Sequence, residues 1–230
     1  MSPLDSSIVS YPERGPYGNS KFPGNTSGYL IRDLILFYKA KSVLDPMEGS
    51  GTARDVCREL GVQYDGFDLS SGFDALTDSL PPKQYDLIFL HPPYWKMVHY
   101  SDDPRDLCNA KTFGDFIDRL LALMERLSEY LTKNGYLAVL IGDMRKEGQI
   151  YPFGAYLQVF HRQELKDKLI KIQHSTRSGT KPHVLFAGRT FIPIMHEEVL
   201  VFRSWIRLTW EDLVLPLLRF PEESPPDRPL

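Results

Sequence analysis

Two stretches decide how this chain folds: Asp45-Pro46-Met47-Glu48-Gly49-Ser50-Gly51-Thr52 and His91-Pro92-Pro93-Tyr94-Trp95. Each closes a short strand-like run, residues 42–45 and 85–90, and each is built to stop it. In the first, Gly49 and Gly51 supply the backbone freedom of a tight turn and let the chain approach a ligand closely. In the second, Pro92 and Pro93 fix φ and remove two amide donors, so a strand cannot continue. Short buried strands that end in such turns, alternating with helical periodicity, are the pattern of an α/β sheet.

The rest of the chain extends that pattern. Thr26 and Ser27 are placed to cap a helix through Lys39, with Leu30, Leu34 and Phe37 at helical spacing. A helix over 51–60 ends at Gly61, and residues 63–68 form a second strand. Phe116, Leu120, Leu123, Leu127 and Leu131 fall on one face of a long helix over 112–131. Asn134-Gly135 ends it, and 136–141 is another buried strand. Further on, 155–166 is expected to be helical, 169–174 and 198–202 to pair as an antiparallel edge, and 204–220 to form a helical tail. The expected fold is α/β, a doubly wound, mostly parallel Rossmann-like sheet with an antiparallel edge. One domain covers 25–220, without a large separate target-recognition domain. Residues 1–24, rich in Pro, Gly, Ser and Tyr, read as an extended arm, and the Pro-rich, acidic 221–230 as a disordered tail.

Bulk composition narrows the class. With 230 residues and 42% hydrophobic content, one well-formed core is expected. No apolar run reaches about 18 residues, and the first ten residues lack a basic stretch followed by an apolar one. Neither a membrane span nor a secretion signal is expected, so the predicted location is cytoplasmic. Two cysteines, Cys57 and Cys108, are too few for a disulfide framework or a zinc site. The net charge is −3, but residues 144–189 carry nine Lys/Arg against three Asp/Glu, leaving −9 for the remainder. A basic segment of +6 on an acidic body suits local phosphate contacts, although it also describes an ordinary solvated face.

The first motif sits where open parallel sheets bind ligands, at a strand's carboxyl end. Asp45 is unsuited to a phosphate cradle, because its charge repels pyrophosphate, and no Lys-Ser/Thr follows the glycines. A carboxylate there suits a cation: the sulfonium and α-ammonium of S-adenosylmethionine. Asp68, at the end of the second strand, is placed to accept both ribose hydroxyls. Asp74 is a candidate acceptor for the adenine amino group, with Phe73 against the ring; as ordinary loop acids, Asp68 and Asp74 need no ligand.

The second motif suits a flat ring bearing an amine. An exocyclic base amine is a poor nucleophile, because its lone pair is delocalised into the ring. Two acceptors on its N–H groups free that lone pair for in-line attack on a methyl. The Pro92 carbonyl, held by the adjoining prolines, is the natural first acceptor, and a neutral His91 the second. Tyr94 is expected to stack on the ring and Trp95 to wall the pocket. A base must leave its duplex to reach such a site.

These residues resemble the amino-group DNA methyltransferases that modify adenine N6 or cytosine N4. The likeness covers roughly residues 20–203 and includes 134–143 and the late strand 196–202. It implies S-adenosyl-L-methionine as cofactor and DNA as partner. It makes Asp45, Pro46, Met47, Gly49, Ser50, Gly51 and Thr52 the cofactor loop, with His91 beside it, and His91, Pro92, Pro93, Tyr94 and Trp95 the catalytic motif. The stretch 22–26 resembles the family's methionine-contacting segment, which makes Asn25 and Thr26 cofactor contacts. The resemblance also implies association with the nucleoid, a restriction-modification setting and a homodimer as one arrangement.

Two departures stand out. The family usually has Asp, Asn or Ser where this chain has His91, so activity is expected to fall as pH drops through the histidine pKa near ~6.5. Only about fifty residues separate Asp143 from His196, so base readout falls to a short segment, the arm or a partner; Arg177, Lys181 and Arg189 are the candidate phosphate contacts. Two other readings stay open: an RNA base-amine methyltransferase, and an inactive nucleic-acid-binding domain that keeps the fold. Asp143 is placed equally well for a structural or a substrate-facing role. His196-Glu197-Glu198 lacks the second histidine of a metalloprotease motif and reads as the start of an edge strand. Asp102, Asp103 and Arg105 read as a surface loop, with a lid as the alternative.

Overall fold

The computed structural model describes residues 4–174 and 191–207. Nine strands and four α-helices follow in chain order among them: β1 (Ile8–Ser10), α1 (Gly28–Tyr38), β2 (Ser42–Asp45), α2 (Thr52–Leu60), β3 (Gln63–Gly66), β4 (Tyr85–Leu90), α3 (Phe113–Ser128), β5 (Leu131–Ile141), β6 (Met144–Lys146), β7 (Gln149–Tyr151), α4 (Phe153–Phe160), β8 (Gln163–Ile172) and β9 (His196–Arg207). Seven strands form one sheet in the order β1-β8-β9-β5-β4-β2-β3, and β6-β7 is a separate hairpin. In the large sheet β9 alone is reversed; it pairs antiparallel with both β5 and β8, while the other pairs are parallel.

The pleat of β4 organises two cores. Leu87 and Phe89 join the cluster that holds Leu30, Ile31 and Leu34 of α1 and Val56 of α2. Ile88 and Leu90 face the opposite way, into the cluster with Phe116, Leu120 and Leu123 of α3. Covered on both faces, β4 is apolar from Leu87 to Leu90, as an inner parallel strand requires, and its one charge, Asp86, sits at the strand's start. The Thr112 hydroxyl caps α3 by accepting from the Asp115 amide at 3.1 Å, and α3 presents Phe116, Leu120, Leu123 and Leu127, all fully buried, as its inner face.

The order reverses at β2, which pairs with β3 on one side and β4 on the other. Val43 and Leu44 are in register with Leu87 and Ile88. That register brings the ends of β2 and β4, and so both motifs, to the same edge of the sheet. A crevice at such a switch point is where open α/β sheets bind ligands.

Several boundaries differ from expectation. The arm is not free of packing: Ile8–Ser10 adds a parallel strand to β8 and becomes the outer edge. Tyr17 is buried and donates to Glu59 at 2.9 Å, and the Gly18 amide donates to Asp55 at 2.9 Å. Asp55 and Glu59 thus moor the arm. The helix expected over 155–166 covers Phe153–Phe160, because 163–172 is drawn into β8 by its pairing with β9. The helix expected to reach Leu131 stops at Ser128, and Leu131–Ile141, Asn134 and Gly135 included, is strand. The expected helix from 204 begins as strand, since β9 runs to Arg207; the remainder of 204–220, and 221–230, lie outside the described residues. The expected antiparallel pair is present as β8 and β9 toward one side of the sheet, with β9 between β8 and β5 and β1 added outside β8. No helix among the described residues is long and apolar enough to cross a membrane.

Candidate active site

A cavity of about 920 Å³ opens at the switch point. Both motifs line it: Asp45, Pro46, Met47, Gly49, Ser50 and Thr52 from the loop after β2, and His91, Pro92, Pro93 and Tyr94 from the loop after β4. Asn25, Thr26, Asp68, Phe73 and Asp74 complete the expected set.

Two expected members are elsewhere. Gly51 takes a left-handed backbone (φ 78°) at the start of α2, and its amide donates to the Glu48 carbonyl at 2.8 Å. It shapes the loop and does not line the cavity. Trp95 is buried behind the wall: its indole N–H donates to the Ala110 carbonyl at 2.9 Å, and its ring packs on Tyr151 and Phe113. It supports the motif from the core. Arg177, Lys181 and Arg189 lie outside the described residues.

The half of the cavity lined by the loop after β2 is acidic. Asp45 is 4% exposed and accepts from the Met47 amide at 3.2 Å. Burial, reinforced by Glu48 and Asp68 and opposed by that amide, pushes its carboxyl up to about 8. No side-chain cation among the described residues offsets this, so a positively charged ligand fits here. The Thr26 hydroxyl is buried on the cavity wall without a hydrogen-bond partner among the described residues, and a polar ligand group can satisfy it. In charge and in hydrogen-bonding capacity, the residues present fit S-adenosylmethionine.

Asp68 is less free than its position in the sequence suggests. Its Oδ2 accepts from the Gly49 amide at 3.0 Å, and its Oδ1 from the Ser70 amide at 2.9 Å and the Ser70 hydroxyl at 2.5 Å. With about four acceptor positions on a carboxylate, there is room for one ribose hydroxyl here and not both. Asp74 is buried and builds its own turn, accepting from the Leu76 amide and the Thr77 hydroxyl, each at 2.9 Å. Phe73 stacks on Phe67 with centroids 4.4 Å apart, presenting an apolar wall.

In the half lined by the loop after β4, no described donor takes up the Pro92 carbonyl. His91 keeps a face toward the cavity, but the protein packed around it makes protonation costly: desolvation, aided by Lys171 and only partly opposed by Glu197, holds the imidazole down to about 4. The ~6.5 expected from sequence is therefore replaced by a histidine that is neutral across the physiological range. Tyr94 lies edge-on to His91 and Phe153 and donates its hydroxyl proton to Glu197 Oε1 at 2.9 Å. Asp103 and Arg105, paired at 2.7 Å, border the cavity, whereas Asp102 is fully exposed. Asp143 is half-buried near Glu198 and does not line the cavity.

Two cavity residues carry no clear signal in the sequence, and a third, Phe22, carries one only through the resemblance of the stretch 22–26. Glu197 reaches in from the head of β9. Phe22 stacks on Tyr100 with centroids 6.0 Å apart, and the Tyr100 hydroxyl donates to the Pro23 carbonyl at 3.2 Å, so the arm meets the loop after the catalytic motif. The one pointer to Glu197 is a charge at the head of a strand whose other inward positions are apolar; for Tyr100 there is none beyond its being aromatic.

No protein-family model and no curated protein matches the chain. Solved structures resemble it distantly. TTHA0409 of Thermus thermophilus, assigned as a DNA modification methylase, is 21% identical over 57% of this chain and 52% of its own, with a TM-score of 0.41. The CcbJ methyltransferase of Streptomyces caelestis is 15% identical over 78% of this chain and 90% of its own (TM-score 0.45). The PvuII DNA methyltransferase, cytosine-N4-specific, is 14% identical over 58% of this chain and 49% of its own (TM-score 0.43). The chain spans about half the length of the first and third of these.

Proposed function

We propose that this chain transfers a methyl group from S-adenosylmethionine to the exocyclic amino group of a DNA base, N6 of adenine or N4 of cytosine, after the base has left its duplex. The observation that carries the reading is the single cavity shared by the Asp45 loop and the His91-Pro92-Pro93-Tyr94 motif. When bound, the donor supplies a methyl made electrophilic by a sulfonium. Asp45 and Thr26 receive its polar and cationic groups, and Asp68 takes one ribose hydroxyl. The Pro92 carbonyl accepts one amine proton in a hydrogen bond, and the neutral His91 accepts the other. Together they turn the nitrogen lone pair toward the methyl. The low-dielectric wall of Phe73, Met47 and Tyr94 excludes water that would compete for those hydrogen bonds.

Isotope-labelled S-adenosylmethionine, offered with duplex DNA and with RNA in parallel, tests this by mass spectrometry of the released nucleosides. Label in deoxy-N6-methyladenosine or N4-methyldeoxycytidine is expected. Label confined to RNA nucleosides moves the target to RNA, and label in neither contradicts the reading.

A further inference from the structure

Beneath the catalytic motif lies a buried ion pair that donor and base binding leave unexplained. Lys171 of β8 and Glu197 of β9 are direct cross-strand partners. Each is less than a tenth exposed, and Lys171 Nζ meets Glu197 Oε2 at 2.7 Å. Their strand neighbours Leu169 and Val199 are buried and apolar. A pair buried in such a setting adds little net stability over well-packed apolar side chains, so its role is sought in what it holds.

What it holds is Tyr94. The second carboxylate oxygen, Oε1, accepts the Tyr94 hydroxyl proton at 2.9 Å. Gly142 leaves the space for this: a Cβ there would come 3.1 Å from Glu197 Cγ and 3.4 Å from Tyr94 Cε2. The Tyr94 oxygen lies 3.4 Å from His91 Nε2. A hydroxyl has one proton, and an ionised carboxylate can only accept. With that proton committed to Glu197, the contact to His91 is attractive only if Nε2 carries the hydrogen. A neutral imidazole has one N–H, so Nδ1 then bears the lone pair.

We propose that Lys171 and Glu197 are positioning residues that act through Tyr94 to hold His91 in its Nε2–H tautomer, leaving Nδ1 as the acceptor for the substrate amine. This rests on the methyl-transfer reading above for its functional consequence, but not for the tautomer itself. Glu197→Gln reverses the chain of donors. Lys171 retains the amide oxygen, the amide NH₂ turns to the Tyr94 oxygen, and the tyrosine proton is driven toward His91 Nε2. The histidine proton then moves to Nδ1, where it blocks acceptance from the amine.

Long-range ¹⁵N–¹H NMR of the full chain, labelled at histidine, reads the tautomer directly; His91 is assigned by its loss in His91→Asn. The wild type is expected to show the Nε2–H form and E197Q the Nδ1–H form. In E197Q, kcat is expected to fall about 100-fold, the scale of losing one well-placed polar group at a reacting centre, with donor affinity unchanged. Adding Tyr94→Phe to E197Q removes the reversed donor, so the Nε2–H form is expected to return in part. A wild-type signal of the Nδ1–H form overturns the proposal and needs no variant to fold. So does an E197Q protein that keeps the wild-type tautomer. The expected tautomers in a protein that methylates nothing would leave the relay standing and remove the enzymatic reading instead.

Discussion

The Gly49 amide donates to Asp68 Oδ2 at 3.0 Å, so the loop after β2 is tied to the end of β3 through the carboxylate expected to meet the ribose. Asp68 therefore shapes this loop and, in the proposed reading, also meets the donor. Asp68→Ala is expected to remove a charge-assisted hydrogen bond at each task, worth about 1.5–3 kcal/mol apiece at most. Calorimetry should show S-adenosylmethionine affinity falling by about 10-fold or more, on the order of the loss of one such bond. A variant that binds as tightly as the wild type removes Asp68 from the donor site.

In the proposed reading Asp45 makes donor binding pH-linked. Buried and pushed up to about 8, it would hold a proton at pH 7 for a cationic ligand to displace. Its folded pKa is raised, so without ligand its contribution to stability is complete at acid pH and is lost as pH rises toward about 8. At pH 7, titration in buffers of different ionisation enthalpy should show net proton release, up to about one per donor bound. Asp45→Asn should release markedly less and bind more weakly. Equal proton release from both proteins would assign the effect to another group.

His91 has the opposite sign. Its folded pKa is depressed to about 4, so the stability it contributes is present above the unfolded value of ~6.5 and is lost as pH falls through the folded one. With saturating substrates, the rate is expected to show no His91 titration between pH 8 and pH 5.5 and to decline only toward about 4. A sigmoidal loss centred near ~6.5 that disappears in His91→Asn would show that the imidazole is hydrated and not buried in the working enzyme.

Phe22 and Tyr100 join the arm to the loop beyond the catalytic motif across the cavity. Aromatic pairs of this kind contribute about 0.5–1.5 kcal/mol beyond area burial. Phe22→Ala is expected to speed donor dissociation several-fold in stopped flow while leaving the melting temperature within a few degrees of wild type, because Phe22 is only half-buried. Unchanged dissociation would mean that the pair does not cover the donor.

The α/β class is legible because its signals are local. Gly49, Gly51, Pro92 and Pro93 punctuate strands wherever they occur, and the Phe116–Leu127 stripe is a helical period that burial preserves. The common cavity of the two motifs follows from the rule that ligands gather at the carboxyl ends of parallel strands. What stays hidden is set by pairing at long range. Residues 163–166 look helical alone, yet β9 recruits them into β8; Ile8–Ser10 becomes strand only because β8 offers an edge. Trp95 turns into the core because sequence gives its neighbours but not the direction of its ring. Glu197 reads as a plain strand start, since its partners Lys171 and Tyr94 are distant in sequence. The His91 value departs from expectation for the same reason: desolvation depends on everything packed around a ring, and no spacing reports it.

One measurement bears most directly on the shared cavity. A compound that joins the donor's adenosine and amino-acid portions, through a short alkyl bridge, to the amino nitrogen of adenine or cytosine places both partners in one molecule. Calorimetry is expected to show it binding at least about 10-fold tighter than S-adenosylmethionine, the scale on which linking adjacent sites gains affinity. That gain should be lost in Tyr94→Ala and the donor contribution in Asp68→Ala. A compound that binds no better than the donor alone, and equally well to wild type and Tyr94→Ala, would contradict the convergence of the two loops on one reaction.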